Sequence, residues 1–146
     1  MTATNIERFN DIVGIIFGKL YESFPVKTDI MALDIVGGIE KMEYFGNHDA
    51  EDVLTASRDD VMFFLDTVDW LQDSGYLTAV GSTDGIHSAV LTAKGLEVLN
   101  ATPGSLETPL GARILDTAKS EGKEALRSLV SQALGIGLQY VTRGLM

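Results

Sequence analysis

The 146-residue chain predicts an α+β fold that is mostly helical, with one domain over residues 1–103, a linker over 104–109 and an amphipathic helical tail over 110–146. Three observations carry that prediction. Residues 57–100 place a helix pattern, a hairpin pattern and a second short helix pattern in direct succession. A broad apolar stripe precedes them near the N-terminus, and another follows a break that contains two prolines and a glycine. The length and a 45% hydrophobic share suit a single packed core.

Taken in order, Ile6, Phe9, Ile12, Val13, Ile16, Phe17, Leu20, Tyr21 and Phe24 recur at three- and four-residue spacing, which puts them on one side of a helix. Asn5 can cap it, and Pro25 should end it. Gly14 and Gly18, four apart, either mark a close helix contact or only relieve crowding. Residues 26–28 read as extended after Pro25, and 29–36 as a brief second helix stopped by Gly37 and Gly38. Residues 39–51 are less regular and suit a loop, an insertion or a broken helix.

From Val61 the apolar residues Val61, Phe64, Leu65, Val68 and Leu71 again form a helical stripe, ended by Ser74 and Gly75. Residues 76–80 and 87–91 are β-favouring runs joined by Gly81-Ser82-Thr83-Asp84-Gly85, whose glycines suit a chain reversal. Thr92 stands where an N-cap belongs, ahead of a helix over 93–99. The order and the wording, WLQDSGYL before the hairpin and LTAKGLEVL after it, resemble the winged helix-turn-helix domains of MarR- and PadR-type bacterial regulators. In that family a similar L-T-x-K-G-x-x-x-L string follows the wing. The resemblance implies a winged-helix domain over 1–103 and, by analogy with PadR-type proteins, a C-terminal helical extension used for dimerisation.

Nothing in the sequence points to chemistry. There is no glycine-rich phosphate loop, no H-E-x-x-H, no G-x-S-x-G and no histidine placed to serve a serine, so neither a catalytic residue nor a cofactor is expected. His48, Asp49, Glu51 and Asp52 match no calcium-loop or zinc spacing and read as a solvated loop rather than a metal site. His87 reads as a surface or cross-strand residue. The absence of cysteine excludes disulfides and thiolate metal sites and fits a cytoplasmic protein. No stretch approaches the roughly 20 apolar residues of a spanning helix, and no integral membrane segment is expected.

Charge decides between two uses of the presumed reading helix. The net charge is -10, with six basic against seventeen acidic residues up to Pro103 and five against four beyond it. In a winged-helix regulator the helix before the wing enters the major groove. Off its buried stripe, this one carries Asp59, Asp60, Asp66, Asp69 and Asp73 against Arg58 alone, and the wing loop carries no base. Five carboxylates would face phosphate, and phosphate neutralisation supplies most of the affinity for DNA. Nucleic acid is therefore the disfavoured alternative, with Arg58 and Lys94 as its candidate contacts. Phe63 and Trp70, seven apart and flanked by Asp66, instead suit a surface for a basic or apolar protein partner, unless the first helix or the tail buries both rings.

In the tail, Leu115, Ala118, Gly122, Leu126, Leu129, Ala133 and Ile136 keep helical spacing, with a kink expected near Gly122. Three fates are open to this stripe: folding back on its own domain, pairing with a second copy, or docking on a membrane or partner. The family analogy favours a homo-oligomer, with Leu115, Leu126 and Leu129 as contact residues. The polar side carries both signs of charge, which ranks a membrane surface third.

Overall fold

The computed structural model describes residues 4–36, 38–41, 52–55, 57–102, 108–120 and 122–144, with side chains at all but 38–41, 52–55 and 140–144. The fold is α+β and mostly helical. Its elements are α1 (Asn5–Ser23), β1 (Thr28–Met31), α2 (Ala32–Val36), β2 (Gly38–Lys41), β3 (Asp52–Thr55), α3 (Arg58–Asp73), β4 (Leu77–Gly81), β5 (Gly85–Leu91), α4 (Ala93–Asn100), α5 (Leu110–Lys119) and α6 (Lys123–Gly144). One antiparallel sheet has the order β1-β5-β4, and β2 pairs with β3 in a second.

The first helix begins one residue earlier than its stripe suggests. Thr4, not Asn5, is the N-cap: its hydroxyl accepts from the Glu7 amide at 3.2 Å, while the Glu7 carboxylate accepts from the Thr4 amide at 3.0 Å. This reciprocal pair satisfies two amides that the first turn leaves open.

Two further expectations are corrected. Residues 29–31 are strand rather than helix, because Ile30 sits opposite Ile86 of β5 and both side chains are buried; α2 keeps only five residues. Part of the irregular stretch is also ordered as sheet, with Gly38 opposite Thr55 and Lys41 opposite Asp52. Residues 42–51, including His48, Asp49 and Glu51, lie outside the described residues.

The helix, hairpin and helix of residues 57–100 are present. Strand β5 carries one extra residue against both neighbours: Thr28 and Ile30 pair with Ala89 and Ile86, and Thr78 and Val80 with Val90 and His87. Ser88, at φ 55°, takes the strain of that bulge, and the Asp29 carboxylate accepts from its amide at 3.0 Å.

The tail is two helices, not one kinked helix, and both pack on α1 of the same chain. Gly14 lies against Leu126 of α6, and Gly18 against Leu115 of α5. The pair of glycines thus marks a helix contact. Folding back is the fate realised within the chain, and Leu110, Ile114, Leu126, Leu129 and Val130 share one core with Phe17, Phe64, Leu71 and Leu99. Among the described residues, no helix is long and apolar enough to cross a membrane.

Candidate functional site

Helix α3 is closed at both ends by local hydrogen bonds. Ser57 caps the start, its hydroxyl accepting from the Asp60 amide at 3.1 Å. At the far end the Tyr76 amide donates to Leu71 O and the Gly75 amide to Gln72 O, both at 2.9 Å, with Gly75 at φ 86°. This is a Schellman stop, and glycine is favoured there because a Cβ is strained at positive φ. Phe64, Thr67, Val68 and Leu71 point inward, and the buried Thr67 hydroxyl donates to Phe63 O at 2.8 Å. Asp59, Met62, Asp66, Asp69, Trp70 and Asp73 are exposed.

A groove of about 560 Å³ runs between α1 and α3, lined by Asn5, Ile6 and Phe9 from the first and Phe63, Asp66, Thr67 and Trp70 from the second. Ile6 is 69% exposed and Trp70 46%, an unusual amount for large apolar groups side by side. The Trp70 ring is held rather than loose. Phe9 meets it edge-on at 5.3 Å and 89°, and Tyr76 stacks on it at 6.2 Å and 19°. Phe63 is half-buried, with the Arg8 guanidinium 4.1 Å over its ring and the same group donating to Asp60 at 3.0 Å. Of the two rings read from the sequence, Trp70 is therefore the more available. The sequence does not distinguish Ile6 and Phe9, because the regular stripe of α1 does not tell which end of it stays uncovered.

The charge around the groove is one-sided. Arg127 forks onto Asp11 at 2.7 and 2.9 Å and reaches Glu7 at 2.8 Å, and Lys119 pairs with Glu22 at 3.2 Å. By contrast, Asp59, Asp66, Asp69 and Asp73 have no hydrogen-bond or ion-pair partner among the described residues, beyond those within the helix itself. The Thr4 amide and hydroxyl hold the Glu7 carboxyl below its usual range. The Ser88 amide does the same for Asp29, helped by His87. Burial pushes the Tyr76 hydroxyl up.

The candidate DNA contacts do not converge. Arg58 is exposed at the first position of α3, whereas the Lys94 ammonium donates to Ser74 O at 2.7 Å beyond its last turn. Sixteen helical residues separate them by about 24 Å. Lys94 also lies 4.5 Å over the Tyr76 ring. Its neighbours serve the same joint: the Thr92 hydroxyl donates to Gly75 O, and Gly95 packs directly on Tyr76 O. The T-x-K-G string of residues 92–95 is thus a clasp that seats α4 on the end of α3.

Leu115 is half-buried against Gly18, and Leu126 and Leu129 are 5% and 4% exposed, covered within the chain. No cluster of three potential metal ligands occurs among the described residues. Compared with protein-family models, curated proteins and solved structures, the chain matches none.

Proposed function

We propose that this is a non-enzymatic winged-helix protein that acts through protein-protein contacts, as a regulatory adaptor or as the acidic partner of a basic protein, and that it self-associates. The winged-helix reading is supported by a helix and hairpin that follow the order expected of that fold, with β1 completing the sheet beside β5. The β2-β3 pair is then an addition between α2 and α3. A cytoplasmic setting belongs to the same reading, in keeping with a chain without cysteine.

One observation carries the protein-contact reading. The outer side of α3, which would lie against phosphates in a DNA-binding protein of that fold, presents carboxylates without an ion-pair partner among the described residues, around a half-exposed Trp70. Like charges there oppose DNA, and a rigid aromatic in a polar frame is the usual anchor of a protein contact. Self-association has to use surfaces other than Leu126 and Leu129, or require α6 to leave α1, because both leucines are already covered.

The test pairs two measurements. Random DNA duplexes at low salt should show no salt-dependent retention, and Arg58→Ala should change nothing. Affinity capture from the native cell should recover a protein on the wild-type chain that is lost on Trp70→Ala. Steeply salt-dependent duplex binding, abolished by Arg58→Ala, would instead establish the DNA-binding regulator.

A further inference from the structure

We infer that the groove between α1 and α3 receives a cationic amphipathic helix of a partner protein, with its Lys or Arg residues seven apart over Asp59, Asp66 and Asp73. This rests on the protein-contact reading of the same face and names its partner. Asp59, Asp66 and Asp73 repeat every seven residues, so they form one row along α3. Phe63 and Trp70 repeat with the same period beside them, and Ile6 and Phe9 supply the opposite wall. Asp66 lines the groove itself, and helical spacing sets Asp59 and Asp73 about 10.5 Å to either side of it along α3, seven residues at 1.5 Å each.

That interval selects the secondary structure of the occupant. A helix lying along α3 returns to the same side every seven residues, so cations at that spacing meet all three carboxylates while its apolar stripe enters the groove. In an extended strand, at about 3.3 Å per residue, the same distance spans roughly three residues, and consecutive charges would alternate between faces.

The charge selects the chemistry. None of these three carboxylates forms an ion pair within the described residues, whereas the basic groups Arg8, Lys119 and Arg127 are already paired. A second copy would bring another acidic α3 and a further net charge of -10, and a nucleic acid would bring phosphates. A cationic helix is the occupant that neutralises the row and covers Ile6 and Trp70 together.

The experiment titrates the intact protein with helical peptides as long as α3, following the emission of its single tryptophan, Trp70. One peptide carries a leucine stripe and lysines seven apart beside it. A second has glutamate for each lysine, and a third moves the lysines to the face opposite the leucines. The first should shift the emission to the blue and saturate, with affinity falling as salt rises. Asp66→Lys with Asp73→Lys should weaken it about tenfold by turning two attractions into repulsions. Both positions are exposed, so circular dichroism should be unchanged. Equal binding of the glutamate peptide would overturn the cationic assignment and leave the protein-contact reading standing. Equal binding of the third peptide would overturn the seven-residue register. No shift with any peptide would overturn the inference, and a saturable shift with a DNA duplex alone would overturn both readings.

Discussion

Leu126 fills the notch that Gly14 leaves in α1, so closely that a Cβ on residue 14 would stand 2.6 Å from Leu126 Cδ1 and 2.7 Å from its Cγ. Glycine in mid-helix ordinarily costs about 1 kcal/mol relative to alanine. Here the contact reverses the sign. Gly14→Ala gains that propensity but forces Leu126 out of a packed site, and overpacking of this kind costs about 1–3 kcal/mol. Chemical denaturation should show Gly14→Ala as net destabilising and Gly18→Ala, whose nearest neighbour stands at 3.3 Å, as close to neutral. In the double variant Gly14→Ala with Leu126→Ala, the loss should be smaller than the sum of the two single losses, because the truncation removes the clash.

Leu126→Asp together with Leu129→Asp should unfold the chain as a whole. Both side chains lie in the core shared by α1, α5 and α6, and an ionised carboxylate placed there without a partner costs several kcal/mol. Circular dichroism should register a lost or much lowered melting transition, and light scattering a loosened or aggregating chain. A folded monomer with an unchanged melting curve would mean that the two leucines serve an interface with another molecule.

Gly95→Ala should be among the most damaging single-methyl additions. The new Cβ would run into Tyr76 O, a backbone atom that cannot swing aside, and about 1–3 kcal/mol is expected for the strain. The transition should fall in urea titration while the far-ultraviolet spectrum keeps its helical shape. Lys94→Met should cost less, since an apolar stem can still cover the Tyr76 ring while the donor to Ser74 O and the charge over the ring are lost. The reverse ranking would show that the ammonium, not the close approach of α4, holds this joint.

Acid should loosen the chain in part through Asp29 and Glu7. In both, the folded-state pKa is depressed, so each contributes stability that is fully present above the ordinary carboxylate pKa and lost as pH falls through the folded value. Asp29→Asn should therefore lower the denaturation midpoint at neutral pH and flatten its decline between about pH 5 and pH 2. Below that range the two proteins should converge. Parallel curves at all pH values would show that the Asp29 charge is irrelevant to the Ser88 bulge.

What the sequence makes legible here is mostly local. The stripe of α3, its stop at Gly75, the glycine-bounded hairpin and the Thr92 cap each depend on residues a few positions apart, and all four are read from the chain alone. Strand β1 is read only at Thr28, because Asp29, Ile30 and Met31 are extended only by pairing with β5, more than fifty residues away. The same holds for β2 and β3, whose partners lie across residues 42–51. Leu126 and Leu129 show a different limit. An apolar stripe has the same pattern whether its own domain or another molecule covers it, and only the fit to Gly14 reveals which surface it meets. At the groove, Trp70 and Asp66 are legible from their spacing, whereas Ile6 and Phe9 have the pattern of ordinary core.

Tyr76 stands where these parts join. Its ring lies on Trp70, its carbonyl accepts from the Thr92 amide, and its hydroxyl reaches Leu134 O of α6 at 3.5 Å beside Gly137. The indole that borders the groove is thus one side chain removed from the C-terminal helix. Were a ligand to select a setting of Trp70 in which Tyr76 holds Leu134 O differently, the hold of Tyr76 on α6 and the ligand's affinity would be coupled by one and the same factor.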